Sequence, residues 1–121
     1  MSMTETTITV YQGQGHILDV LAKERDGTTV LASPASSDLV WIITDGPLRT
    51  ATKLMELSSA TDGTLVDADT AQFRISADAS DFASLTFGRR YYYRAWTKPA
   101  SGDPILQAIG PLVAEVTVTP A

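Results

Sequence analysis

Apolar residues recur along this chain at every second position, in short runs broken by Gly, Pro, Asp and Ser. That alternation restricts the fold more than any other feature, because a period of two buries one face of a strand and leaves the other outside. Residues 6–11 alternate Ile8 and Val10 with threonines, and after Gly13-Gln14-Gly15 the run 16–23 carries Ile17, Leu18, Val20 and Leu21. Asp26-Gly27 is a tight-turn pair, and residues 31–37 read as a loop, with Pro34 unable to donate to a ladder. The densest apolar run, 39–43, closes at Asp45-Gly46-Pro47 and predicts a central strand. Further strands are expected at 52–57, around Leu65-Val66 and at 72–76, where Phe73 and Ile75 alternate. The rhythm breaks at 78–85, where Phe82 and Leu85 lie behind Asp78 and Ser80 as candidate N-caps, the pattern of one helical turn. Strands 89–96, 105–109 and 112–119 follow, the last two separated at Gly110-Pro111. About seven to nine short strands with almost no helix predict an all-β fold, an antiparallel two-sheet immunoglobulin-like sandwich formed as one domain over residues 1–121.

Composition narrows the chemistry. With no cysteine there is no disulfide framework, thiolate metal site or cysteine nucleophile, and a single histidine, His16, supplies zinc or Ser-His catalysis poorly. Fourteen acidic against nine basic residues, spread evenly, give a net charge of −5, which argues against nucleic acid as a partner. No apolar run approaches the ~18 residues of a membrane span, and residues 1–5 lack the basic and apolar regions of a signal peptide. Cytoplasmic synthesis without a membrane partner is the expectation.

Asp67-Ala68-Asp69-Thr70 matches the DxDxT pattern of haloacid-dehalogenase-like phosphotransferases, but that chemistry needs a central parallel strand and the chain offers no βαβ pattern. Asp67 and Asp69 read instead as solvated turn residues. A calcium ion held by Asp62, Asp67 and Asp69 stays open, since hard oxygen ligands lie close in sequence although the EF-hand pattern is missing. Gly13-Gln14-Gly15 lacks the third glycine and following helix of a nucleotide loop. His16 has no orienting partner nearby in sequence and is expected at a strand start, facing solvent or capping a turn.

The most informative stretch is 90–98. On a strand, Tyr91, Tyr93 and Ala95 share a core-like face, while Arg90, Tyr92, Arg94, Trp96 and Lys98 share the other, interleaving cations with aromatics. Such a stripe suits a protein interface, and equally the cross-strand Arg and Tyr pairs of a solvated sheet. In run 39–43, Leu39, Trp41 and Ile43 share one face and Val40 and Ile42 the other, so this strand either lies under a loop or presents an apolar patch to another subunit.

Several features occur in an order that resembles a small β-sandwich module of tailed-bacteriophage structural proteins, including the N-terminal domain of upper baseplate proteins. The residues carrying it are Trp41, Gly63, Phe73-Arg74-Ile75, the 78–85 turn, Gly88 with Tyr91 and Tyr93, Gly110, and Val116-Thr117-Val118-Thr119-Pro120. The match is best over residues 51–120. The resemblance implies a non-enzymatic virion component of capsid, head-tail connector, tail or baseplate, assembled in a bacterial host cytoplasm. It implies docking to other phage structural proteins and to copies of itself, with no cofactor and no catalytic residue carried over. The alternative is an immunoglobulin-like carbohydrate- or adhesion-type module, with Trp41, Trp96 and the tyrosines as a sugar platform.

Overall fold

The computed structural model describes residues 6–48 and 50–117. Among the described residues eight strands form: β1 (Ile8–Tyr11), β2 (His16–Leu21), β3 (Ser37–Thr44), β4 (Lys53–Ser58), β5 (Gly63–Asp67), β6 (Gln72–Ala77), β7 (Arg89–Pro99) and β8 (Ile105–Glu115). They divide into a five-stranded sheet, β1-β8-β7-β3-β4, and a three-stranded sheet, β2-β6-β5. All pairings are antiparallel except β1 with β8, which run parallel from Ile8 opposite Leu112 to Tyr11 opposite Glu115. The orders β8-β7-β3 and β2-β6-β5 are those of an immunoglobulin-like sandwich, with an extra strand, β4, beside the third and the first strand paired to the last instead of to the second. The sequence expectation of two antiparallel sheets therefore holds with one parallel pair added at the edge.

The alternating residues fill the space between the sheets. Leu39, Trp41 and Ile43 of β3, Phe73 and Ile75 of β6, and Tyr91, Tyr93 and Ala95 of β7 are all buried. Two immunoglobulin-like signatures stand among them. Trp41 is fully buried on the third strand, its ring edge-on to Phe82 at 6.1 Å between centroids. At the start of β7 the Tyr91 hydroxyl closes back on the chain, accepting from Thr86 N at 2.7 Å, the arrangement of a tyrosine corner. Tyr93, two residues on, occupies the place where antibody domains carry half of their inter-sheet disulfide. Its ring fills the Cys-free core there, and its hydroxyl donates to Thr6 O at 2.6 Å. Burial pushes the Tyr93 phenol pKa upward.

Four local readings are corrected. Residues 105–115 form one continuous strand through Gly110-Pro111. Over Ile105 to Pro111, β8 pairs as a strand with β7 alone among the described residues, so a missing N–H is tolerated. Gly110 is required by a close approach, since a Cβ there would lie 2.5 Å from Thr6 O. The strand then stops at Glu115, short of the expected Thr119, and residues 118–119 lie outside the described residues. Helical turns also form at Pro34–Ser36 and at Ser59–Asp62 (α1), besides the expected one, which spans Ala79–Phe82. In α1, Ser58 Oγ accepts from Ala60 N and Asp62 Oδ2 from Ser58 N, while Ser59 Oγ accepts from Leu39 N. Finally, His16 starts β2 as expected but is half-buried instead of facing solvent. Its ring leans on Trp41 at 5.9 Å, and burial lowers its pKa below 6.5.

The sheets are stitched together by a bulge in β8. Between Ala95 opposite Ala108 and Trp96 opposite Leu106, residue Gln107 has no partner of its own. Its amide turns to β2's end, where Lys23 N donates to Oε1 at 2.8 Å and Nε2 donates to Lys23 O at 2.7 Å. The side chain thus pairs with Lys23 as a peptide group would. Nε2 also donates to Thr97 Oγ1 at 2.9 Å, satisfying a hydroxyl on a fully buried residue.

Candidate functional site

Register fixes what the outer face of the five-stranded sheet displays, because residues opposite one another on paired strands share a face. Arg94 lies between Ile42 and Ile109, Trp96 between Val40 and Leu106, Tyr92 between Thr44 and Pro111, and Lys98 opposite Asp38. Arg90 lies opposite Val113. All five stripe residues, Arg90, Tyr92, Arg94, Trp96 and Lys98, therefore point outward, with Tyr91, Tyr93 and Ala95 buried between them. Val40 and Ile42 point outward too and are partly buried, with Pro104 and Ala51 of neighbouring loops lining the same hollows.

Around Trp96 the face is concave. One hollow, of 330 Å³, is lined by Val40, Ile42, Glu56, Trp96, Lys98 and Pro104. A second, of 610 Å³, shares Ile42 and Trp96 and adds Thr44, Ala51, Lys53, Arg94 and Leu106. Apolar floors are rimmed by charge: Lys53 pairs with Glu56 at 3.0 Å, and the Arg94 guanidinium is held by Pro47 O at the β3–β4 turn. Anchoring Arg94 to backbone fixes its position without neutralising its charge. Aromatic and Arg side chains set around a desolvated apolar centre are the composition of a protein interface core.

Leu106, Pro104 and Glu56 were missed from the sequence. The Gln107 bulge shifts the parity of β8, so counting alternate residues along 105–109 does not reveal that Leu106 joins Trp96. The exposed side of 53–58 gave the one usable signal, since Glu56 sits between Met55 and Leu57, both buried.

The remaining candidates separate. Asp67, Ala68, Asp69 and Thr70 make the antiparallel β5–β6 turn, where Asp67 Oδ1 accepts from Asp69 N at 2.9 Å. That is turn chemistry, not the end of a parallel strand. Asp62 is committed to Ser58 N and Thr61 Oγ1 in α1, and no cluster of three His, Asp or Glu side chains suited to a metal forms among the described residues. The calcium set of Asp62, Asp67 and Asp69 is thus not brought together. Trp41, Tyr91 and Tyr93 are buried, which removes them from any sugar platform.

Fold and face together define an immunoglobulin-like β-sandwich with an apolar, cation-rimmed outer sheet surface. Compared with known proteins, the sequence matches no family model and no curated protein.

Proposed function

We propose that this chain is a non-enzymatic structural component of a tailed-bacteriophage or prophage virion, which docks through the outer face of its five-stranded sheet onto other structural proteins. The observation that carries the docking is the concave surface around Trp96, Val40, Ile42 and Leu106, with Arg94 fixed at its margin. Placement in a virion, whether capsid, connector, tail or baseplate, rests on the sequence resemblance. Assembly takes place in the host cytoplasm, where a Cys-free fold loses nothing to reduction.

The test is incorporation. A tagged copy is expressed in the cell that encodes the chain, particles are induced and banded by density, and their proteins are identified by mass spectrometry. The wild-type chain is expected in the particle band, and the Arg94→Glu, Trp96→Ala double variant is expected to stay in the soluble fraction while keeping its far-UV spectrum. A chain missing from purified particles refutes the virion reading. Equal incorporation of the double variant refutes the docking face.

A further inference from the structure

The three-stranded sheet ends at β2, and no strand pairs with the other edge of β2 among the described residues. That edge opens on a groove of 420 Å³, lined by Leu18 and Val20 on one side and Ile8, Leu106 and Ala108 on the other. Exposed strand edges are ordinarily guarded by Lys, Pro or a projecting charge. Here the outward residues of β2 are Ile17 and Leu21, 58% and 55% exposed, with Asp19 between them. The charge within β2 is engaged: Arg74 of β6 donates from Nε to Asp19 Oδ1 at 2.8 Å and from a terminal nitrogen to Oδ2 at 3.3 Å, while Lys23 and Glu24, just past the strand, also line the groove.

We propose that β2 pairs antiparallel with β2 of a second copy across a two-fold axis at Asp19. In an antiparallel ladder directly opposed residues share a face, so a two-fold axis normal to the sheet must pass through a residue position. Centred on Leu18, the pairing would set Ile17 against Asp19. Centred on Val20, it would set Leu21 against Asp19. Centred on Asp19, it sets Ile17 against Leu21 twice on the outer face and Leu18 against Val20 twice on the inner face, all apolar with apolar. The two Asp19 carboxylates then face each other at the axis, and the Arg74 guanidinium bound to the far side of each offsets their repulsion. The two three-stranded sheets become one of six strands, and the groove is closed by the second copy. This surface meets the docking face around Trp96 only at Leu106, which lines both.

The absence of native cysteine makes the register directly testable. Light scattering across a dilution series is expected to show a species of twice the chain mass that dissociates on dilution. Leu21→Lys, at an exposed position that leaves the core intact, is expected to yield the monomer at every concentration with an unchanged circular-dichroism spectrum. When Ile17→Cys and Leu21→Cys chains are mixed under mild oxidation, the mixed disulfide is expected at least tenfold in excess over either self-disulfide. A wild type that is monomeric throughout overturns the proposal while leaving the Trp96 docking face standing, and so does a Leu21→Lys dimer. Self-disulfides equal to or above the mixed product overturn the Asp19-centred register.

Discussion

Removing the Gln107 amide tests how the two sheets are held together. Gln107→Ala deletes three hydrogen bonds at once, two to the Lys23 backbone and one to Thr97 Oγ1, the last on a residue that is 1% exposed. A net contribution of about 0.5–1.5 kcal/mol per bond gives a loss of about 1.5–4.5 kcal/mol. At a typical urea slope of about 2 kcal/mol per molar, the unfolding midpoint falls by about 1–2 M. Gln107→Glu separates hydrogen bonding from side-chain volume. Its carboxylate still accepts from Lys23 N but faces Lys23 O and has no proton for Thr97, so its folded pKa is raised. The stabilising neutral acid is fully present below the unfolded pKa of about 4.3 and is lost as pH rises through the folded value. Relative to wild type at each pH, Gln107→Glu should therefore be destabilised at pH 7 and recover towards pH 4. Urea titrations followed by tryptophan fluorescence measure both. A Gln107→Ala midpoint within 0.3 M of wild type, or a Gln107→Glu deficit independent of pH, would refute the reasoning, the 0.3 M limit being roughly 0.6 kcal/mol at that slope.

Three further outcomes follow from the geometry. A Cβ at Gly63 would fall far inside contact distance of the Arg74 carbonyl oxygen, so Gly63→Ala should displace β5 and cost about 2–3 kcal/mol or more, read by thermal unfolding and by accelerated amide exchange in β5. Tyr91→Phe leaves the Thr86 N–H without its acceptor and should cost about 1–2 kcal/mol, whereas Tyr92→Phe on the outer face should change stability by less than about 0.5 kcal/mol in the same denaturation assay. Burial lowers the His16 pKa, so the unfolded chain binds that proton more readily. Stability should fall as pH drops below 6.5, and His16→Gln should flatten the profile between about pH 6.5 and 5, above the carboxylate range.

Period two was strong enough to place nearly every strand and to assign the faces of β3 and β7 correctly, because alternate burial is a local property of extended backbone. The partners of those strands were not legible in the same way. Parallel pairing of β1 with β8 joins residues over a hundred positions apart, and nothing in residues 8–11 encodes it. Gly110-Pro111 looked like a break because proline carries a strong local preference, yet with β7 as its one paired strand there β8 runs straight through. His16 looked solvated because its partner Trp41 lies in the other sheet. On the candidate face, the Arg90 to Lys98 alternation and the doubly apolar 39–43 run were readable, and their juxtaposition through the Trp96–Val40 pairing was not. Leu106 stayed hidden by a bulge whose cause, the reach of Gln107 to Lys23, is entirely tertiary.

The central claim is that the outer face of the five-stranded sheet is covered in the assembled particle, and single cysteines in this Cys-free chain measure that directly. Val40→Cys lies on that face, while Thr64→Cys lies on the exposed side of β5 in the other sheet. Maleimide labelling rates are compared for free protein and purified particles. The account predicts that assembly slows labelling at Val40→Cys by at least tenfold and leaves Thr64→Cys within twofold of its free rate. Equal labelling of Val40→Cys in both states, with the chain present in the particles, would contradict it.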